Sequence, residues 1–448
     1  MAIGLLAALP ALLRSVPSRY IVYATEKLPQ PLQDPIQQIA LPVQEAAILP
    51  TAVPVANVAA LLGKPTPETE IVTAVSPTDL PLTFTPLPNT DLPVTLTPLP
   101  TAVPPTNTPT PIPSPTPELS PLPAAVRLTG FYHQFQEWNN CGPATLAMTM
   151  SYFNLPLTQS DTARILKPNP EDRNVSPHEM ADFVQNETVF EAIFRANGNA
   201  ETVKRLLANG IPVILEIGIE PPGEFRWMGW YGHYMLVVAY DDAQQQFWVY
   251  DSWLGTGGEP LSSADPNGRS LSYADLERDW PHFNRNYIAI YKPEQTQLAA
   301  DIIGAGMNDD IMWQQAIAQA QEDARRDPDN PFYWFNLGTS LNEVGSYDTA
   351  VQAFDQARAI GLPWRMLWYQ FGPYEAYYEN GRYEDVILLA DTTLNGRPYF
   401  EESFYYKGLA QAALGDLNAA YGNIQRAADF NPYYTPALDA LNQFDNGG

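Results

Sequence analysis

The sequence contains little cysteine, little histidine and few basic residues, and each shortage excludes a class of protein. One cysteine and four histidines in 448 residues exclude an internal disulfide framework and a cysteine-rich zinc or iron–sulfur site. We therefore expect neither a metal ion nor an organic cofactor. Lysine and arginine total 24 against 50 for aspartate and glutamate, which gives a formal net charge of -26. A polyanion repels phosphate backbones, so we expect no nucleic-acid partner.

Long apolar runs are also missing. No stretch reaches the roughly 18 consecutive apolar residues that predict a membrane-spanning helix, which excludes a multi-span membrane protein. The apolar residues 2–13 are too few to span a bilayer, and they are typical of a secretory signal with a cleavage site near 22–24. No basic residue precedes them, so a short apolar helix or a truncated anchor is the alternative. We predict that residues 1–24 are a signal or anchor segment of an exported protein, with N-terminal membrane association if the segment is an anchor.

Proline is the residue in excess, with 45 copies, which is about twice ordinary usage. Residues 81–120 contain 13 prolines and 10 threonines, no glycine and only two charged residues. Each proline fixes its own φ and disfavours helix at the preceding residue, which predicts an extended polyproline-like chain. We therefore predict a disordered Pro/Thr-rich spacer over residues 25–123. It either holds a folded head away from a surface or serves only as a connection.

The single cysteine, Cys141, lies in the segment FYHQFQEWNNCGPATLAMTMSYF. Apolar residues recur after it at helical spacing, and Pro143 suits the first turn of a helix because its missing N–H costs nothing there. Cys141 is therefore predicted at or just before a helix N-terminus, where the helix dipole and free N–H groups favour a thiolate. The alternative is a small buried hydrophobic residue. The amides of Gln134 and Gln136, just upstream, are able to stabilise an oxyanion.

A cysteine nucleophile needs a base, and the base needs an orienting group. His233 begins an apolar run, residues 234–240, that predicts a buried strand, and a second strand over 247–250 leads into Asp251. A turn over 241–244 joins the two strands, so the start of the first should lie opposite the end of the second. His233 and Asp251 are therefore expected to be neighbours. The alternatives are a core histidine and a turn or cap aspartate.

These residues carry a family resemblance. The order Cys, His, Asp, within CGPATLAM, GHYMLVVAYDD and VYDSW, resembles the papain-like cysteine peptidases, and above all the relatives of the double-glycine leader peptidases, cysteine peptidase family thirty-nine. The resemblance covers about residues 128–291. It implies a papain-like α+β domain over 124–295, with Cys141 as nucleophile, His233 as general base and Asp251 as orienting residue.

The same resemblance implies an oxyanion-hole glutamine shortly before the cysteine. Gln136, five positions upstream of Cys141, is the expected residue, and Gln134, seven positions upstream, is the alternative. Trp253 resembles the tryptophan that shields the catalytic pair from water in papain-type enzymes.

Residues 308–445 contain an internal repeat. Gly345, Gly381 and Gly415 recur at spacings of 36 and 34 within matching patterns of small and aromatic residues, close to the period of about 34 that is typical of tetratricopeptide repeats. The segment resembles such repeats, with three units, which implies an all-α solenoid that binds a protein partner. The alternative is a scaffold that only packs against the preceding domain.

The sequence thus predicts a multidomain protein whose papain-like α+β domain acts as an exported cysteine peptidase on a peptide or protein substrate, while the repeats bind a protein partner. One alternative is a catalytically silent papain-like binding module on a stalk. Another is a transglutaminase-type or deamidating acyl transferase that uses the same three residues.

Overall fold

The computed structural model describes residues 48–63, 120–137, 139–220, 229–257 and 262–445. All of them fall in one compact unit. The predicted signal or anchor segment, residues 1–24, lies outside the described residues, as does most of the predicted spacer. Across the ranges that are described, no helix has both the length and the apolar character needed to cross a membrane.

A seven-stranded sheet forms the first half of the described structure. Its strands are β1 Ala125–Arg127, β2 Glu191–Arg195, β3 Val213–Ile219, β4 Tyr231–Asp241, β5 Gln246–Asp251, β6 Arg269–Ser272 and β7 Tyr287–Tyr291. The strand order is β2-β7-β3-β4-β5-β6, with β1 paired to the far end of β4. Each of these pairings is antiparallel. The central strands β3 and β4 are buried almost throughout, because helices or loops cover both of their faces.

Helices surround the sheet and then continue alone to the C-terminus. Those that precede or pack against the sheet are α1 Val58–Leu61, α2 Cys141–Tyr152, α3 Gln159–Leu166, α4 Pro177–Glu187, α5 Ala200–Ala208 and α6 Tyr273–Asp279. Those that follow are α7 Thr296–Ile303, α8 Asp309–Arg326, α9 Pro331–Glu343, α10 Tyr347–Ile360, α11 Gly372–Glu379, α12 Tyr383–Gly396, α13 Glu401–Ala413, α14 Leu417–Phe430 and α15 Thr435–Asp445. The predicted α+β domain and helical C-terminal region are both confirmed at this level.

Helix α2 is the central helix of the α+β domain. Every residue from Gly142 to Ser151 is buried, whereas the sequence pattern predicted a single apolar face. A helix that is buried all round is packed on all sides by protein. Its attachment to the sheet includes a hydrogen bond from Thr145 Oγ1 to the carbonyl of Tyr234 on β4, at 3.3 Å. This contact holds the N-terminal end of α2 against the strand that carries His233.

The helical region, which we define as residues 309–445, is built from antiparallel helices that approach closely at small residues. A Cβ on Gly338 would come within 2.6 Å of the Phe354 ring, and one on Gly408 within 2.5 Å of Ile424. The repeat-phased glycines at 345, 381 and 415 each follow a helix end with φ of +71°, +71° and +89°, a conformation that glycine adopts without strain. The helical architecture is confirmed, and the assignment to tetratricopeptide repeats stays a prediction.

Residues 48–63, which belong to the predicted spacer, pack against the helical region. Leu49 donates its backbone N–H to Leu362 at 2.8 Å, and Gln321 Nε2 donates to the carbonyl of Leu61 at 2.9 Å. The side chains of Leu49 and Leu61 are buried. This part of the proline-rich chain is therefore anchored, because two leucines contribute to the core of the helical region.

The α+β domain and the helical region share a core. Trp230 and Phe283 of the α+β domain belong to the same cluster of buried residues as the apolar side chains of the helical region. A buried ion pair joins Arg285 to Asp323 at 2.7 Å, and Asn336 Nδ2 donates to the carbonyl of Pro281 at 2.6 Å. The helical region is thus fixed to the segment between α6 and β7.

Candidate active site

Cys141 is the first residue of α2 and is half-buried. The first turn of a helix has backbone N–H groups without intrahelical partners, and these favour a negative charge. The loop before Cys141 is held by Gln159, the first residue of α3. Gln159 Oε1 accepts from the N–H of Glu137 at 2.6 Å, and its Nε2 donates to the carbonyl of Phe135 at 2.8 Å. One side chain therefore fixes the approach to the helix start.

His233 lies near the start of β4, and Asp251 is the last residue of β5. His233 Nε2 is 3.0 Å from Asp251 Oδ1, and both side chains are buried, with 5% and 0% exposed. The hairpin geometry expected from the sequence is thus present. Asp251 is paired with Met235 rather than with His233 itself. Because side chains alternate along a strand, His233 and Met235 share a face, which brings the imidazole beside the carboxylate.

A β-bulge makes this arrangement possible. Near the turn, Asp241 pairs with Gln246, but the register shifts by one residue between Val237 and Ala239. Without the shift, Asp251 would lie opposite Leu236, on the face of the sheet opposite to His233. The bulge therefore places the carboxylate on the side where the imidazole lies.

The electrostatics of His233 connect the carboxylate to the cysteine. Burial by itself lowers the pKa of His233, but the charge of Asp251 and hydrogen bonds with Asp251 and Cys141 outweigh it and raise the pKa to about 10. Since Nε2 is held by Asp251, Nδ1 is the ring nitrogen left to face the sulfur. The imidazole is thus stabilised in its cationic form between an anionic carboxylate and the thiol group.

Asp251 has more partners than the sequence indicated. Arg269 Nη2, on β6, donates to its Oδ2 at 2.5 Å. The backbone N–H groups of Trp253 and Leu254 donate to its Oδ1 at 2.8 and 2.9 Å. Burial opposes ionisation, but the charges of His233 and Arg269 and these hydrogen bonds hold the pKa of Asp251 well below its usual value. Arg269 was not predicted, because nothing in its local sequence links it to Asp251.

The two candidate oxyanion glutamines have different surroundings. Gln134 bridges two backbone groups, since its Nε2 donates to Leu157 at 2.9 Å and its Oε1 accepts from Gln159 at 3.0 Å. Gln136 is bound to the residue after Asp251. Its N–H donates to the carbonyl of Ser252 at 2.7 Å, and its Oε1 accepts from Ser252 Oγ at 2.9 Å. Gln136 is therefore the glutamine connected to the His233–Asp251 hairpin.

Two of the remaining histidines, His133 and His282, have structural contacts. His133 Nε2 lies 2.8 Å from the carbonyl oxygen of Asp251. His282 accepts at Nδ1 from Trp230 Nε1 at 3.2 Å, and burial lowers its pKa to about 4. His178, in the first turn of α4, is exposed. Within the described parts of the chain, no group of three or more histidine, cysteine, aspartate or glutamate side chains is placed to hold a metal ion.

Comparisons with known proteins locate this site in a recognised domain. Residues 129–288 match the model of the Peptidase_C39 like family, and a search of curated proteins found no match. A Bacillus anthracis protein designated a C39-like peptidase is 14% identical, with 38% of this chain and 98% of that chain covered and a TM-score of 0.29. MamA from Desulfovibrio magneticus RS-1, from residue 41 to its end, is 20% identical, with 29% and 72% covered and a TM-score of 0.26.

The fold is defined by the sheet and helix topology described above. The family model spans the helix that begins at Cys141 and both strands of the hairpin. The resemblance inferred from the sequence motifs is confirmed for this segment, because residues 129–288 match the model of the Peptidase_C39 like family.

Proposed function

We propose that this protein is a cysteine peptidase in which Cys141 is the nucleophile, His233 the general base and acid, and Asp251 the orienting carboxylate. The observation that carries the proposal is the continuous contact from a helix-terminal cysteine through His233 to a fully buried Asp251. A thiolate beside an imidazolium is the reactive form of a cysteine nucleophile.

The reaction follows from these positions. The Cys141 thiolate attacks the carbonyl carbon of the scissile amide, and the C=O electron pair moves to oxygen. The backbone N–H of Cys141 and the Nε2 amide of Gln136 stabilise the oxyanion. His233 gives its Nδ1 proton to the leaving nitrogen, so the amine departs and a thioester remains. Neutral His233 then takes a proton from water, whose oxygen attacks the thioester, and a free carboxylic acid and the thiolate–imidazolium pair result.

Activation of Cys141 is tested by alkylation against pH. In the proposed enzyme, iodoacetamide reacts with Cys141 well below pH 8, where ordinary thiols are protonated, and His233→Ala abolishes this low-pH reaction. Labelling that occurs only above pH 8 in the wild type would favour a catalytically silent binding module.

The type of reaction is tested by a proteomic cleavage screen. The wild type should generate cleaved peptides that are absent from the Cys141→Ser variant. Identical peptide sets would count against proteolysis. An acyl transferase would instead join a labelled amine to protein substrates, and an amine-incorporation assay with the same two proteins distinguishes it from a hydrolase.

We extend the proposal to the rest of the chain. Residues 1–24 would direct export, the proline-rich residues would link this end to the folded unit, and the helical region would bind a protein partner. Fractionation of cells that express the full chain tests export. A pull-down with the intact protein, compared with a variant altered on the exposed side chains Leu414 and Leu417, tests the partner site.

A further inference from the structure

The helical region reaches the strand that carries the proposed base. Gly232, directly before His233, has the ring of Tyr369 beside it, and a Cβ at this glycine would lie 3.0 Å from Tyr369 Cδ1. Tyr369 follows the short 3-10 helix Trp364–Trp368 of the helical region. Its ring also packs against Trp230 and Phe283, with centroid distances of 5.8 and 5.7 Å. This tyrosine is therefore held in place by the α+β domain.

The pKa of the Tyr369 hydroxyl responds to the charge of the proposed nucleophile. Burial raises the pKa of Tyr369, and the neighbouring charge of Cys141 raises it further. The guanidinium groups of Arg365 and Arg173 act on the same hydroxyl in the opposite direction. Tyr369 of the helical region therefore lies within electrostatic range of Cys141 and Arg173 of the α+β domain.

Arg365 fixes this arrangement on the histidine side. Its guanidinium carbon lies 3.9 Å from the centroid of the Tyr231 ring, and its Nη1 donates to the carbonyl of Trp230 at 3.0 Å. Gln370, beside Tyr369, donates to the carbonyl of His282 at 3.2 Å. These bonds attach the segment around Tyr369 to β4 and to the segment after α6.

The helical region also contacts the loop between α3 and α4, which is bonded to the segment that precedes Cys141. Asn169 Nδ2 donates to the carbonyl of Tyr399 at 3.4 Å, and the Arg173 guanidinium carbon lies 5.8 Å from the Trp368 ring centroid. Arg173 also donates to Asn139 Oδ1, two residues before Cys141. The helical region therefore contacts both the strand that carries His233 and a loop bonded to the segment before Cys141.

We propose that the segment Trp364–Tyr369 of the helical region forms a roof over the catalytic cleft and that Tyr369 is a specificity-determining residue, which restricts the enzyme to narrow, extended polypeptide substrates. The inference rests on Cys141 being the nucleophile proposed above. A folded protein surface cannot enter beneath such a roof, whereas a single unfolded strand or a chain end can. The ring of Tyr369 would contact the substrate next to the scissile bond.

Size-graded alkylation of Cys141, the only cysteine, tests this roof without requiring turnover. The two reagents are iodoacetamide and a maleimide that carries a polyethylene-glycol chain. We divide the rate of the bulky maleimide by the rate of iodoacetamide. We expect this ratio to be at least about tenfold lower for the native wild type than for the same protein unfolded in urea, which corresponds to about 1.4 kcal/mol of steric hindrance. An equal ratio in the two states would overturn the proposal, and this comparison needs no variant that must fold.

Variants then assign the hindrance to Tyr369. Tyr369→Ala should raise the ratio by about tenfold, whereas Tyr369→Phe, which keeps the ring, should leave it unchanged. Tyr433→Ala removes a tyrosine that is 69% exposed elsewhere in the helical region, and it should have no effect. A wild-type ratio in Tyr369→Ala, with the variant still folded by its thermal transition, would remove Tyr369 from the cleft. If wild-type Cys141 does not react with iodoacetamide well below pH 8, that result would instead contradict its role as nucleophile, whatever the ratio of the two rates.

Discussion

Arg269 donates a hydrogen bond of 2.5 Å to Asp251 Oδ2, whereas His233 contacts the other carboxylate oxygen, Oδ1. The carboxylate is 0% exposed, while the Arg269 side chain is 24% exposed. One buried anion is therefore shared by two cationic groups, of which only the imidazole faces the cysteine. The guanidinium keeps Asp251 ionised and fixes its rotation, so that Oδ1 remains directed at the histidine.

Removal of Arg269 should destabilise the fold. In Arg269→Met the buried carboxylate keeps its contact with His233 but loses a charged partner. We expect the free energy of unfolding to fall by about 2 kcal/mol, which is less than the roughly 3–5 kcal/mol lost when a buried ion pair is broken completely. Urea denaturation measures this loss. The control is Arg278→Ala, because Arg278 pairs with Asp275 and Asp279 at the surface with 64% of its side chain exposed, and such pairs contribute about 0–1 kcal/mol. Equal losses in the two variants would show that Asp251 does not depend on Arg269.

The charge of Asp251 should set the pH range of Cys141 reactivity. Asp251 raises the pKa of His233 to about 10, so Asp251→Asn should lower it and the imidazolium should lose its proton at a lower pH. The variant should then alkylate at about pH 6 at least tenfold more slowly than the wild type, and its rate should increase only near the ordinary thiol range of about 8–9. A full iodoacetamide rate–pH profile measures this shift.

The exposed Asp310→Asn serves as the matched control for that profile. It removes one carboxylate from the chain without touching the hairpin, so its profile should coincide with that of the wild type. An unshifted profile in Asp251→Asn would mean that the carboxylate does not govern the imidazole.

The resemblance to papain-like peptidases implied the α+β architecture, and local patterns predicted the helix start at Cys141 and the close approach of His233 and Asp251. Gly142 and Pro143 indicate the start of a helix, and a turn between two apolar runs indicates a hairpin. Such patterns could not predict the pairing register of β4 and β5, since the bulge at Val237–Ala239 depends on packing against several strands. The same holds for Arg269 and Tyr369. Each meets the site through a contact distant in sequence, and neither lies in a motif that marks its role.

Replacing Gln136 and Gln134 with alanine, one at a time, should distinguish a catalytic role from a structural role. Gln136→Ala should reduce turnover by about a hundredfold, the typical effect of losing one oxyanion donor, while the iodoacetamide rate of Cys141 stays near that of the wild type. Gln134→Ala removes the bridge to Leu157 and Gln159, so it should cost about 1–3 kcal/mol of stability and leave the turnover of folded molecules unchanged. Turnover on a peptide from the cleavage screen and urea denaturation measure the two effects, and a reversed pattern would assign the oxyanion role to Gln134.

Glu216 should make stability depend on pH. It is buried on β3 and accepts from Asn286 Nδ2 at 3.1 Å, and burial, partly offset by hydrogen bonds, raises its pKa from 4.5 to about 8. Between these values the folded protein keeps the proton that the unfolded chain releases, so this residue's contribution to stability is complete below pH 4.5 and is lost as pH rises to about 8.

Glu216→Gln should therefore flatten the pH dependence of the free energy of unfolding and should be more stable than the wild type at pH 8 by a few kcal/mol, in order of magnitude. Urea denaturation at about pH 5, 6.5 and 8 measures it. The exposed Glu384→Gln should keep the wild-type slope. If the slope persists in Glu216→Gln, it arises from another carboxyl group, such as the half-buried Glu179, whose pKa desolvation raises to about 7.

Two glycine-to-alanine exchanges should change the stability of the fold in opposite directions. At Gly232 a Cβ would lie 2.5 Å from Phe283 Cζ and 3.0 Å from Tyr369, so Gly232→Ala forces apart the strand before His233 and the roof segment. We expect this overpacking to lower the stability of the fold by about 1–3 kcal/mol. We also expect the bulky maleimide to modify a larger fraction of Cys141. Gly422 lies inside α14, and a Cβ added there would meet no atom within 4 Å, so Gly422→Ala should add about 0.5–1 kcal/mol through helix propensity. Thermal unfolding measures both signs, and a neutral Gly232→Ala would show that β4 and Tyr369 are not in contact.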